Sequence, residues 1–420
     1  MTTLQNSTSL QKMIQNESDN RITKDKNILV VLVGNGAINA ELNYLIENFC
    51  GNVVYDFSEI PSISDGKRVY VCGDLSNIEY NNSPILIIRE VSNNYDNFNN
   101  ENAQIIELGQ VPIIISKAGV YYRKLFNEDN YFKKIKSEHS FQELTESNKE
   151  SKSLRKGIYL SEVLKEESED KTEMLSFRLL RCSSNLTGPT DNFRNTDHHI
   201  VNLLNDSVKY TFENETKLNH VLAQIYENKK SENQKEVKSK IKAHSDKTKD
   251  MPKEGLIAFC TFYDTSNIEN LTVSNTDKYD LCYKQTSALT RLHFKLKNTV
   301  DDDSLEKEFS VTLYPNSVFI IPLSTNRLYT HEIRPSVLNI DRIPVRLGYV
   351  VRCSNLEALY INEKTYIKED TKIVPLKKMT SEMLVDLRNS YYEENISEKV
   401  VEYGKVHFSM NLGDYEKPIY

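Results

Sequence analysis

His244-Ser245-Asp246, followed by His331 and then by Arg346 and Arg352, holds the residue types that could do chemistry in this 420-residue sequence. Two imidazoles and one carboxylate can occupy one face of an iron ion and leave its other positions open for a cosubstrate and oxygen. His244 and Asp246 are two residues apart, so on an extended strand or at its end both side chains project to the same side. One His-x-Asp arises by chance in roughly a third to a half of chains of such length and composition. The weight therefore rests on the residues downstream.

The segment VTLYPNSVFIIPLSTNRLYTHEI reads as a strand, a Pro-Asn turn, a buried strand and a further segment ending in His331. In VRLGYVVRC, Arg346 and Arg352 stand six apart, which in a strand puts both on one face with Gly348 and Val350. Two inward cations need an anion. A dicarboxylate such as 2-oxoglutarate supplies one: one carboxylate and the keto oxygen chelate iron, and the distal carboxylate pairs with a guanidinium. Gly348 leaves room for it.

These residues, with the stretch from Leu218 to Asp250, resemble AlkB-like 2-oxoglutarate- and Fe(II)-dependent dioxygenases. The resemblance covers about a third of the chain and does not reach residues 1–170. It implies that His244, Asp246 and His331 are the catalytic iron ligands, that Tyr226 and Arg346 hold the 2-oxoglutarate, and that Arg352 lies beside its iron-bound end. Gln224 stands where that family usually has Asn. The interval from Asp246 to His331 is longer than in compact members, which implies insertions near 264–288 or 299–307. The implied fold is a double-stranded β-helix, or jelly roll. The implied reaction decarboxylates 2-oxoglutarate to succinate and hydroxylates a C–H bond; at an N-methyl group the net result is demethylation.

The elements that must position these residues begin with an α/β pattern. NILVVLVGNGAINAELNYLIENFCGNVVYDF reads as strand, Gly turn, helix and strand, and RVYVCG, SPILIIRE and VPIIIS continue it as further parallel strands. A small Rossmann-like α/β domain over 27–135 is expected, behind a disordered lead-in over 1–26. The Gly34-Asn35-Gly36 turn, with Asn39 in place of a third glycine and Asp56 ending the next strand, partly matches a dinucleotide fingerprint. A two-glycine turn also serves ordinary βα connections.

Residues 136–172 are charged and read as a linker. From 173 to 420, strand-like segments dominate and predict a β-rich domain, with a helix at TDHHIVNLLNDSV capped by Thr196 or Asp197. Thr380 is placed to cap a second helix, SEMLVDLRNSYYEE, expected on the outside of the β domain. Asp197-His198-His199 suggests a DHH-type phosphoesterase cluster, but the other acidic motifs such a site needs are not evident.

A net charge of -7 argues against coating nucleic acid through bulk charge and leaves room for a local basic patch. Lys229, Lys230, Lys235, Lys238, Lys240, Lys242, Lys247, Lys249 and Lys253 flank the His-x-Asp, interleaved with acids, and read either as a solvated loop or as phosphate contacts. The six scattered cysteines form no CxxC pair, and the polar start has no apolar core. An intracellular protein in cytoplasm or nucleus, not secreted and not in a membrane, is the expectation. The favoured function is an iron, 2-oxoglutarate and O2 enzyme acting on nucleic acid, with an N-terminal domain for a protein partner. The competing readings are a protein or small-molecule hydroxylase on the same core, and a noncatalytic scaffold with a degenerate jelly roll.

Overall fold

The computed structural model describes residues 19–420 apart from 34–38, 61–65, 77–83, 98–101, 128–129, 147–148, 168–172 and 182–185. Strands dominate it. The largest sheet runs, in spatial order, Asp191–Asn192, Lys149–Ser161, His220–Tyr226, Arg346–Arg352, Leu256–Tyr263, Ser317–Pro322, Gly119–Tyr122 and Ile113–Ile115, with Gln142–Glu146 also pairing Lys149–Ser161. A smaller sheet of Ile241–His244, Tyr329–Ile333, Arg291–Leu296 and Glu308–Thr312 faces it.

Side-chain alternation along the central strands explains why both faces of the large sheet are covered. Leu256, Ala258, Cys260 and Phe262 point to one side, with Val318, Ile320, Leu347, Tyr349 and Val351. They pack under the helices Tyr131–Glu138 and Asn195–Thr211 through Phe132, Ile135, Ile200, Leu204 and Val208. Ile257, Phe259, Phe319 and Ile321 point the other way and meet Leu292, Phe294, Val311 and Ile333 of the small sheet. Strands so buried on both sides need continuous apolar runs, and LIAFCTFY and SVFIIP are such runs.

The N-terminal layer is a parallel sheet in the order Asn52–Val54, Asn27–Leu32, Arg68–Asp74, Ile85–Asn93 and Ala103–Ile106. Ile28, Val30, Val69, Val71, Ile85 and Ile87 pack on one face. On the other, Leu29, Val31, Tyr70 and Ile88 join Leu45 and Phe49 in the same apolar cluster that contains Phe259 and Phe319. The α/β layer and the β layers thus share one core. A further antiparallel sheet runs Leu164–Glu167, Glu173–Leu179, Leu356–Ile361, Lys364–Glu369 and Lys372–Pro375.

Several expectations need correction. VPIIIS is not a fifth parallel strand: Ile113–Ile115 is antiparallel to Gly119–Tyr122 and extends the large sheet. Residues 136–172 do not act as a linker. Lys149–Ser161 lies beside His220–Tyr226, with Ile158 and Leu160 in the core below and Tyr159 packed with Leu144 and Leu222 on the other side. Its charged first half hid an apolar second half. Order also begins before 27, because Asn20 is buried and donates to the carbonyls of Asn214 and Glu254; residues 1–18 lie outside the described residues.

The helix Asn195–Thr211 starts two or three residues earlier than the expected caps imply, with Arg194 at its N-cap and Asp197 accepting the Arg194 backbone N–H at 2.7 Å. Asp197 has a second task. His139 is buried between two carboxylates, its Nδ1 2.7 Å from Asp191 and its Nε2 2.7 Å from Asp197. Both ring nitrogens therefore donate, which requires the imidazolium. Burial opposes that charge, but the two carboxylates outweigh it and raise the His139 pKa to about 9.

Folded His139 thus keeps a proton that the unfolded chain releases near the ordinary value of about 6.5. Its contribution to stability is complete below that pH and disappears as pH rises through about 9. Urea unfolding across this window should show the native protein losing stability with rising pH and His139→Gln showing a flatter profile. At pH 6 the variant should be less stable by about 3 kcal/mol or more, the usual cost of stranding a buried charge.

Candidate metal centre

His244 ends a strand whose neighbour is Tyr329–Ile333, and antiparallel pairing sets His244 directly opposite His331. The ring centroids are 4.5 Å apart. Asp246, just past the strand end, turns its Oδ1 toward both rings, 3.5 Å from His244 Nε2 and 3.8 Å from His331 Nε2. One ligand atom from each residue lies within 4.8 Å of the others. Metal–ligand bonds near 2.1 Å need cis ligands about 3 Å apart, so both carboxylate–imidazole distances exceed that spacing by under an ångström.

The protonation states suit a cation. His244 Nδ1 is 2.9 Å from the Lys242 carbonyl, which can only accept, so in the neutral ring the lone pair is on Nε2. Burial and the neighbouring His244 push the His331 pKa down to about 3, leaving that ring neutral. Burial raises the Asp246 pKa, yet the Arg352 charge and the two histidines outweigh it and hold the carboxyl well below the usual range.

Arg352 donates from Nε at 2.8 Å and from Nη2 at 2.5 Å, both to Asp246 Oδ2. The carboxylate is divided in this way: one oxygen faces the guanidinium and the other faces the histidines. The backbone of the same loop is fixed as tightly. Asp246 N–H donates to Asn326 Oδ1 at 2.8 Å, and the Asn326 amide returns a bond to the Asp246 carbonyl at 2.9 Å. Ser245 N–H donates to Asn395 Oδ1 and Thr248 N–H to Glu394 Oε1.

Asn395 and Glu394 belong to the helix Ser381–Ile396, which Thr380 caps as expected by accepting from Met383 N–H at 3.3 Å. The helix does not simply ride on the outside of the β layers. It clamps the His-x-Asp loop and brings Arg388 and Tyr391 to the cavity. Asn326, Glu394 and Asn395 carried no motif, and only the proximity of Asn326 to His331 in sequence hinted at a role.

Arg346, Arg352, Tyr226 and Gln224 all line the cavity that holds the three candidate ligands, a space of about 510 Å³. Register explains their grouping: Tyr226 pairs with Arg346, Gln224 with Gly348, and His220 with Arg352. The Arg346 guanidinium lies 3.9 Å from the centroid of the Tyr226 ring, whose hydroxyl donates to Gln224 Oε1 at 2.9 Å. A Cβ on Gly348 would come within 2.9 Å of Arg346 Nη1 and 3.1 Å of the Tyr226 ring, so glycine is what lets Arg346 fold back there. Arg346 Nη2 is buried with no hydrogen-bond partner. A buried donor left so costs about 1–3 kcal/mol or more, which an anion would relieve.

A second group, Glu138, His139 and Asp197, is also close enough to share an ion. Its imidazole has both nitrogens committed to carboxylates and no lone pair to give. Neither His198 nor His199 joins it: their rings lie against Phe193 and Tyr131. Of the nucleotide motif, residues 34–38 lie outside the described residues, Asn39 caps the helix Ala40–Asn48, and Asp56 accepts from Ser58 N–H.

Removal of Arg352 should strand Asp246 without its strongest counter-charge. Arg352→Met should lower the stability of the metal-free protein by about 3–5 kcal/mol, and the Asp246→Asn/Arg352→Met double variant by clearly less. Urea unfolding, with cobalt(II) added to test for recovery by a replacement cation, measures both.

No protein-family model matches the chain, and no curated protein matches it at a meaningful level of sequence similarity.

Proposed function

We propose that this protein is an Fe(II)- and 2-oxoglutarate-dependent dioxygenase of the AlkB-like kind, acting on nucleic acid. The observation that carries the reading is the convergence of a two-histidine, one-carboxylate face and an unpartnered buried guanidinium in one cavity. Iron alone would account for His244, Asp246 and His331 but would leave Arg346 Nη2 without a partner. A dicarboxylate reaching from the metal to Arg346 satisfies both.

Strand order supports the same reading. Numbered along the chain from His220–Tyr226 to Arg346–Arg352, the eight central strands fall as first, eighth, third and sixth in the large sheet, and as second, seventh, fourth and fifth in the small one. Such interleaving is what a double-stranded β-helix requires, and the candidate ligands lie between the two sheets. The insertion expected near 264–288 corresponds to the small sheet of Thr272–Val273, Leu281–Tyr283 and Thr286–Ser287.

When bound, iron and 2-oxoglutarate with O2 supply oxidising power that hydroxylates a C–H bond as 2-oxoglutarate becomes succinate. The chain's own residues hold and orient. Arg352 fixes Asp246 so that Oδ1 faces the histidines, and Arg346, braced on Tyr226, takes the distal carboxylate. Phe259, Leu292, Leu313 and Val350 give the cavity apolar walls that limit water.

An anionic substrate fits the rest of the lining. Asp246 is the only carboxylate among the described lining residues, against Arg155, Lys247, Arg346, Arg352 and Arg388, in a chain of net charge -7. Tyr159 and Tyr391 also line the cavity, each buried and packed on neighbouring side chains. The lysine run divides: Lys249 is ion-paired with Asp250, Lys247 donates to the Tyr391 carbonyl and Lys238 to the Ser336 carbonyl, whereas Lys229, Lys230, Lys235, Lys240, Lys242 and Lys253 are exposed. Those exposed lysines are the ones available to phosphates.

The native protein with Fe(II) and ascorbate should convert 2-oxoglutarate to succinate, and His244→Ala and Arg346→Ala should lose at least about a hundredfold of that rate. Gly348→Val should bind iron but weaken 2-oxoglutarate binding by about tenfold or more under anaerobic titration. Absence of turnover from folded, iron-loaded protein, with and without methylated oligonucleotides, would remove the enzyme reading. Turnover stimulated by protein extracts alone would move the substrate to protein.

A further inference from the structure

A cavity of about 640 Å³ lies where the α/β layer meets the β layers, well removed in residue composition from the metal centre. Three elements and one loop build it. The first turns of the helix Ala40–Asn48 bring Ala40, Glu41 and Tyr44; Ile113, Ile115, Tyr121 and Arg123 come from the edge of the large sheet; Ser310 and Thr312 come from the small sheet. Residues 274–278, between the strands Thr272–Val273 and Leu281–Tyr283, close the remaining side.

Arg123 is the unusual member. Its guanidinium sits 4.5 Å from the centroid of Tyr279 and 5.8 Å from that of Tyr44. It makes no hydrogen bond or ion pair among the described residues, and its Nη2 is fully buried. The acids nearby make their direct contacts elsewhere. Lys278 takes Glu41 at 3.1 Å and Glu90 at 3.6 Å, Lys124 takes Glu107 at 2.8 Å, and the Tyr314 hydroxyl donates to Asp277. Arg123 thus has no direct ion-pair or hydrogen-bond partner among the described residues, although carboxylates stand nearby, and the buried Tyr279 hydroxyl beside it also lacks a partner.

A guanidinium carries five donors in a planar fork suited to carboxylate or phosphate oxygens. Burying part of one against aromatic rings with a donor unmet is costly, and cation–π contact returns only about 1–2 kcal/mol of it. The tyrosines of the cluster, Tyr44, Tyr121 and Tyr314 on the cavity wall with Tyr279 behind Arg123, offer flat apolar surface for an aromatic body. The Ser274-Asn275-Thr276 loop offers polar groups at the opening.

We propose that this cavity is a second ligand site, which takes a small aromatic molecule bearing a phosphate or carboxylate, with the anion on Arg123 and the ring among the tyrosines. The site is independent of the iron and 2-oxoglutarate reading and shares no lining residue with the metal cavity. It gives the α/β layer and residues 274–278 a joint task, since each supplies part of the wall.

Isothermal titration of the full chain with adenosine monophosphate, adenosine and benzoate tests it. One or both anions should bind at one site per chain, and adenosine should bind at least about tenfold more weakly than its monophosphate. Which anion binds tighter identifies phosphate or carboxylate as the preferred group. Arg123→Met should weaken binding about tenfold or more, Thr276→Trp should do the same by filling the opening, and Arg346→Met should leave it unchanged. If Arg123→Met fails to fold, Thr276→Trp decides. No saturable binding of either anion, equal binding of adenosine and its monophosphate, or affinity that survives Thr276→Trp would overturn the proposal.

Discussion

The centre of this protein depends on one buried carboxylate that faces two kinds of positive group. Asp246 gives one oxygen to Arg352 and leaves the other toward His244 and His331. The Arg352 guanidinium is the largest of the influences that keep Asp246 ionised inside the fold, and the two histidines add to it. Arg352 comes from the last central strand of the large sheet and Asp246 from the loop after the first strand of the small one. The ion pair therefore ties the two sheets at the point where a metal would sit.

Around that pair the supports come from far apart in the chain. Asn326 holds the Asp246 backbone from the short helix Leu323–Leu328, and Asn395 and Glu394 hold residues 245–248 from the C-terminal helix. The ligands thus rest on amide and carboxylate contacts made by elements 80 and 150 residues away. Side chains held from several sides lose little further freedom on binding, which is what positioning at a reactive centre requires.

The sequence made some of this plain and hid the rest for physical reasons. His-x-Asp, His331 and the Arg-x5-Arg spacing were readable because strand periodicity alone converts spacing into a shared face. The Tyr226–Arg346 stack follows from register, which no single sequence displays. Asn326 and Asn395 were invisible because an amide that clamps a distant backbone has no local signature. Lys149–Ser161 was misread because its charged residues dominate the composition while its apolar ones decide its place. VPIIIS failed differently: a short apolar run carries no information on which sheet it joins or in which direction.

The two edges of the large sheet have a consequence for how the protein can be divided. On one side the sheet is completed by Ile113–Ile115 and Gly119–Tyr122, and on the other by Lys149–Ser161, all of which precede residue 173 in the chain. A piece beginning at 173 would retain every candidate iron ligand yet expose unpaired hydrogen-bonding groups along His220–Tyr226 and Ser317–Pro322, two strands now interior to the sheet. Open apolar edges of that sort invite pairing between copies. The part of this chain that holds the candidate ligands is thus a sheet whose selvedges are woven by the other part.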